Sequence, residues 1–595
     1  MHLFFKHLFL ILLFLANAFF LRGQNEKFQE SYSKYQQAFS EGENDSALEF
    51  IGLSIKELEK DGIYDTTYSN ILFEKVNVLF SMNRFSEALE IAEIASPIEK
   101  KYFGEKHIYI ANSYDVFAMI YFSIENKDSL GFYYAIKSLE LKKELLGDYH
   151  PDVAMNLNNI AQIYSQFGKF EKALPFQEQA MVAYKKSFGV EHLDFATSVN
   201  NLALNYFEMG LYEKALPLNE LAFKTYKKSL GEVHPDVAMS LNNQAQVYYK
   251  LGQYDMSLQF QKQALNIYIK SQGENHPNVA ISIDNLSQLY QDIGQYERAL
   301  PLSEQALEIR KIAFGDVHAD VAISLNNLAL LYFELGQNAK ALALNEQALL
   351  IRKKVLGENH PDVAISLNNL AQLYFELGQY EKALPFQEQA FKLLTNYRGD
   401  YHPDVAMSLN NLAKLYLELG QKEKALTTNE KVLEIRKKVL GENHPDVAMS
   451  LNNLSFLFKE LGQYEKALSF NERALKIYQK SLGEFHPNVA KCLTNQANIY
   501  SQMGQYKKAL TVNEQALRIR KKSLSEDHPD IARSYNNIAL LYSEMSQYQK
   551  ALTLFDQSLA IENIQLTKIL PSLTEEQKIN FLKLHSSSYE MYDAL

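Results

Sequence analysis

Ten histidines recur along this chain every 42 residues: His150, His192, His234, His276, His318, His360, His402, His444, His486 and His528. So regular a file of imidazoles first suggests metal ligation. Geometry argues against it, because neighbouring helices pack about 8–10 Å apart, whereas two nitrogens on one zinc each lie ~2 Å from it. Proline follows in eight of the ten, as in His360-Pro361-Asp362; the exceptions are His192-Leu193 and His318-Ala319. Proline suits the first position of a helix, where a missing N–H costs nothing, and aspartate suits its positive end. The histidines are therefore expected to cap or pack at helix starts. No HExxH, phosphate-cradling glycine loop, dinucleotide fingerprint or Gly-x-Ser-x-Gly elbow occurs, so neither an enzyme nor a cofactor is expected. Cys492, the only cysteine, reads as a small core residue.

A second set keeps the same step: Asn159, Asn201, Asn243, Asn285, Asn327, Asn369, Asn411, Asn453, Asn495 and Asn537. Asparagine is unfavourable inside a helix because its side chain competes for backbone hydrogen bonds. Its recurrence therefore needs a partner. An amide carries both a donor and an acceptor, which suits a peptide backbone as well as a neighbouring helix.

The elements that position these residues follow from one period. After His360, Val363, Ala364, Leu367, Leu370, Ala371, Tyr374 and Leu377 make one apolar stripe at spacings of three and four. Gly378 ends that helix. A second helix carries Tyr380, Ala383, Leu384, Ala390 and Leu394 and stops near Arg398-Gly399. Elsewhere it ends in basic runs such as Arg352-Lys353-Lys354, favourable at a negative helix end. At ~100° per residue, Asn369 lies on the face away from its own pair's core, while Asn368 flanks the stripe. One pair cannot bury its own stripe, and stacking neighbours does so. The expectation is an all-α solenoid of about thirteen antiparallel helix pairs. Its parts are divergent pairs over 28–104, a divergent repeat over 107–147, ten 42-residue repeats over 150–562, and a connector or capping helix over 565–595.

With 595 residues, 47% hydrophobic and 22% charged, the chain has the composition of an ordered array rather than a disordered one. The net charge of -11 is spread along the chain with no concentrated Lys/Arg face to set against phosphates, so no nucleic-acid partner is expected. At the N-terminus, Lys6, the apolar run from Leu8 and Ala16-Asn17-Ala18 read as a signal peptide over 1–23. Counted to Leu21, that run would reach only about 21 Å as a helix, against a bilayer core of ~30 Å. Export to a periplasmic, secreted or surface-associated location is expected. An N-terminal membrane anchor is the alternative.

Leu367-x-x-Leu370-Ala371-x-x-Tyr374 followed by Leu377-Gly378-Gln379-Tyr380-x-Lys382-Ala383-Leu384 resembles the tetratricopeptide repeat. The 42-residue period, with Gly357-Glu358-Asn359-His360-Pro361-Asp362-Val363-Ala364, is similar to the repeats of kinesin light chains. The resemblance spans roughly 65–562 and implies a right-handed superhelix whose concave groove is lined by the first helices. Nothing upstream resembles the light chain's coiled coil, so a motor role is not implied.

On that resemblance the asparagine stripe lines a peptide-binding groove, with Ile281, Ile323, Ile365 and Met407 four residues before it and Glu334, Glu376 and Glu418 seven after. The alternative is that the amides bond adjacent helices, with Gln261, Asn345, Gln387 and Asn471 of the second helices as partners, and that the Ile/Met file packs first helices together. The groove implies a neutral or basic polypeptide with apolar side chains, bound by a monomeric array. The Lys/Arg clamp that holds terminal carboxylates in some relatives is missing from these central repeats. Finally, Leu566 to Gln577 resembles the connector that joins such repeats to a caspase-like domain in CHAT-type proteases. Two functions are thus in view: an exported scaffold, or the sensor arm of a protease whose catalytic domain lies elsewhere.

Overall fold

A computed structural model describes residues 26–124, 127–524 and 526–569. The signal segment over 1–23 and the residues from 570 onward, which hold most of the connector or capping helix expected over 565–595, lie outside the described residues. Among the described residues there are 26 helices in thirteen successive pairs and no strand. They belong to two compact units, residues 1–163 with 175–189 and residues 164–174 with 190–595.

The His360 repeat shows how each period folds. Its first helix is Pro361–Glu376 and its second is Tyr380–Arg398. Between them Gly378 sits at φ 69°. There its N–H reaches Phe375 O at 2.9 Å and Gln379 N–H reaches Tyr374 O at 2.8 Å. This left-handed closure satisfies carbonyls that the helix end would otherwise orphan. Three linking residues force the second helix to run back along the first. Val363, Ala364, Leu367, Leu370 and Ala371 are buried as the stripe requires, with Ala390 and Leu394 from the second helix. Tyr374 is only half-buried, stacked on Phe386 with ring centroids 5.7 Å apart.

The first unit departs from this register without leaving the plan. Helices Glu26–Glu41 and Asn44–Lys60 form the divergent first pair, buried through Phe28, Tyr32, Ile51 and Leu58. His107, one residue out of step, still caps Ile108–Ser123, accepting from Tyr109 N–H at 3.3 Å. At the other end the last described helix, Tyr548–Ile569, runs beyond 562 into the segment read from sequence as connector.

Candidate functional site

All ten periodic histidines are helix caps. In each, Nδ1 accepts from the main-chain N–H two residues on, at 3.0–3.2 Å. Accepting at Nδ1 selects the neutral ring with its proton on Nε2. Among the described residues no group of three His, Cys, Asp or Glu side chains could hold a metal ion.

Four of these rings do a second job inside the second unit. Nε2 of His402, His444, His486 and His528 lies 3.4, 3.1, 2.9 and 3.3 Å from the carbonyls of Gln166, Glu208, Lys250 and Asp292. Each carbonyl belongs to the last residue of a first helix. One neutral imidazole therefore satisfies an orphan N–H of its own helix and an orphan carbonyl of a helix 236 residues earlier. That separation is six 42-residue periods less the 16 residues of the helix. The superhelix of this unit thus closes a turn in six repeats. The first helices ending at Gln166, Glu208, Lys250 and Asp292 each meet the start of the first helix one turn on.

Packing seals the same seam. A Cβ at Gly168 or Gly252 would lie 2.8 Å from Cδ of Pro403 or Pro487, and one at Gly210 would collide with Pro445. Tyr212, Ala215 and Val247 share one buried apolar cluster with Val447, Leu451 and Val489 of the next turn. His402, His444 and His486 are accordingly buried, whereas the side chains of His192 and His318 are 44% and 38% exposed. Burial pushes the His402 and His444 imidazoles below the usual range, against the pull of Asp404 and Asp446. His486 is pushed down to about 4, again by burial.

The asparagine pairs divide their labour. Asn368 is buried, and its Oδ1 accepts from Gln387 Nε2 at 2.5 Å and Ser408 Oγ at 3.3 Å. Gln387 Nε2 also meets Ser408 O at 3.2 Å. The same ladder joins Asn242, Gln261 and Ser282 and, through a main-chain carbonyl, Asn452, Asn471 and Cys492. In these three repeats the amide of the second helix therefore serves the first asparagine of the pair and the next repeat, whereas both side-chain atoms of Asn345 are buried without a partner and Asn429 donates to Ala425 O of its own helix. Within the stripe, Asn243, Asn453 and Asn495 donate to Asn200, Asn410 and Asn452 of the preceding repeat at 2.8, 2.7 and 3.1 Å. Asn327 bonds Asp284 in the same way. Asn201, Asn285, Asn369, Asn411 and Asn537 are half-buried on the same face, and Asn159 is half-buried in the first unit.

Sequence reasoning missed the basic member of this ladder. Arg352 is not a surface complement to a helix end. It is buried, giving Nη1 to Ser366 Oγ at 2.8 Å and Asp362 O at 3.0 Å. Arg436 and Arg520 repeat the bond to Ser450 and Ser534. Arg310 bonds Ser324 and also pairs with Asp284, where an aspartate replaces the first asparagine. Arg310, Arg352, Arg436 and Arg520, spaced by one or two 42-residue steps and each with a serine 14 residues on, were the signal available.

Successive first helices touch one another, which sets them on the inner side of the curve. Four consecutive repeats there present a large apolar side chain at one position: Ile281, Ile323, Ile365 and Met407 are 46%, 39%, 42% and 46% exposed. These side chains are not consumed by packing between first helices. Glu376 and Glu418 are exposed and Glu334 half-buried. Burial, Glu376 and Asp292 all raise the Glu334 carboxyl above its usual range. Lys414 is solvent-exposed yet crowded, its ammonium pushed down by the surrounding protein and by Lys491 two repeats on. Inner side chains two repeats apart therefore sense each other. A pocket of about 370 Å³ opens where this face meets the seam, between Gln288, Asp292, Glu334, His528 and Arg533.

A family profile described as Tetratricopeptide repeat matches residues 131–186, 194–270, 236–312, 320–396, 375–438, 423–480, 446–522 and 497–562, more than half of the chain. Among solved structures, the chain is similar to a putative kinesin light chain with nearly identical TPR-like repeats from Podosopora anserina. The identity is 30%, over 34% of this chain and 97% of that one, with a TM-score of 0.29. BtubC (BKLC) from P. vanneervenii is 22% identical over 39% of this chain and 91% of that one, with a TM-score of 0.31. No curated protein matches.

Proposed function

The chain belongs to the tetratricopeptide repeat family, and from that premise we propose that it is an exported, non-catalytic scaffold that holds an extended polypeptide along its inner face. The observation that carries this reading is the file Ile281, Ile323, Ile365 and Met407, apolar and left exposed at one position of four consecutive repeats. Single exposed apolar residues need no explanation, but a periodic file of them on a concave wall marks a binding surface. The carboxylates of Glu376 and Glu418 beside it favour a neutral or basic partner carrying apolar side chains. Amides of the stripe that still have bonding capacity would pair with the partner's backbone, which gives affinity with little sequence preference.

The test uses the partner captured from the exported fraction and its affinity for two variants. Ile323→Glu with Ile365→Glu should weaken binding at least ten-fold, and Asn327→Ala with Asn369→Ala and Asn411→Ala should weaken it further. Unchanged affinity in variants of native helicity would overturn the reading. A second reading, a sensor arm of a CHAT-type protease, is supported only by the resemblance at 566–577 and predicts a His/Cys protease encoded downstream in the same transcript.

A further inference from the structure

We propose that the four histidine bridges make the contact between successive turns of the second unit a proton-operated latch, closed by neutral imidazoles and released on acidification. The geometry is that of a bidentate clip. His402, His444, His486 and His528 each accept a cap N–H through Nδ1 and face a helix-terminal carbonyl through Nε2. Only the neutral ring can do both. A proton on Nδ1 removes the cap acceptor and places a charge inside a seam already filled by proline, glycine and apolar side chains. When the turns part, these rings lose the facing carbonyl and become water-exposed helix caps. Closure and protonation therefore oppose each other.

The charged groups around each rung set its sign. At the His486 rung the facing group is Lys250, which adds to the cost of a second positive charge. Arg398 acts in the same sense at His402 and is opposed by Asp404; the seam partner there is the uncharged Gln166. At His444, Asp446 opposes Arg436 and Lys250. Glu208 and Asp292 face the His444 and His528 rungs, with carboxyls that burial raises. They take up protons more readily in the closed seam and so favour closure as pH falls. The His402 and His486 rungs, whose facing residues Gln166 and Lys250 carry no carboxylate, carry the opening response. For His486, an open-state value near the ordinary ~6.5 against about 4 when closed shifts the open-to-closed ratio about 30-fold at pH 5.

The measurement is a distance across the seam in the full chain, with spin labels on Glu171→Cys and Asn443→Cys. A Cβ at Gly441 would lie 3.0 Å from Glu171, and Cys492 is fully buried. A short distance should dominate at pH 7.5 and give way to a longer one at pH 5. The variant H402N/H444N/H486N/H528N keeps an N-cap acceptor but cannot titrate, so its distance should not change between the two pH values. H192N/H234N/H318N, altered only at exposed caps, should respond like the parent. If the fourfold variant loses its helicity, the single H486N should lower the opening at pH 5 by about the same 30-fold. A parent whose distance ignores pH overturns the latch, and so does a folded histidine variant that responds as the parent does.

Discussion

Gly252 and Gly462 form a matched pair that isolates the worth of the contact between turns. Both end a first helix at φ 70°, so alanine at either site incurs the left-handed penalty of about 1–2 kcal/mol. They differ in what a new Cβ meets. At Gly252 it would lie 2.8 Å from Cδ and 3.5 Å from Cγ of Pro487, whereas at Gly462 nothing lies within 4 Å. Pro487 sits on the first turn of a helix whose His486 is bonded to Lys250 O at 2.9 Å, so it cannot retreat without breaking that bond. Overpacking of this kind costs about 1–3 kcal/mol. A repeat array does not unfold as one two-state unit, so local hydrogen exchange is the appropriate assay. G462A should speed exchange only around its own repeat. G252A should add a roughly 5- to 150-fold acceleration in helix Pro487–Gln502, more than two hundred residues away in sequence, matching that 1–3 kcal/mol. Equal effects of the two substitutions, or no change in the distant helix, would refute the six-repeat closure.

Other consequences can be measured on the same protein. Gln387→Leu should cost about 1–3 kcal/mol in the His360 and His402 repeats, because it leaves Asn368 Oδ1 and Ser408 without their shared donor; exchange in helix Pro403–Glu418 reports it. Asn368→Ala should destabilise more than Asn369→Ala, since only the former is a buried member of the ladder. Hydrogen exchange in helix Pro361–Glu376 of the two variants decides this. Ile323→Glu with Ile365→Glu should leave stability within about 0.5 kcal/mol, both side chains being exposed. Glu99 gives a pH signature in the first unit. Burial raises its carboxyl to about 7, so its contribution is fully present below the ordinary carboxylate value and is lost as pH rises through about 7. Glu99→Gln should remove that dependence and stabilise helix Phe85–Phe103 above pH 7 by about 2–3 kcal/mol.

Much of this fold could be read from local pattern. The 42-residue step, the His-Pro start and the Leu-Gly stop mark both ends of the first helix. Those signals act over a few residues, through backbone hydrogen bonds and one apolar stripe, and Pro361–Glu376 and Tyr380–Arg398 lie where they place them. The caps at all ten histidines follow from the same reasoning. The asparagine pair was legible only as a need for partners. Helical geometry separates Asn368 from Asn369, but which one meets Gln387 depends on the angle between the two helices and on the next repeat.

What tertiary structure alone decided is the closure. A turn of six repeats is the sum of small rotations between stacked pairs, each set by how Ala, Ser and Leu interdigitate. A few degrees more or less per repeat would carry His486 past Lys250 with no change in any local motif. The sequence by itself therefore determined the helix pairs of the ten 42-residue repeats and the histidine cap of each first helix, and left identical-looking histidines with one role. Accumulated rotation gave four of them a second partner, because a hydrogen bond to a carbonyl 236 residues away exists only when the turn closes in register.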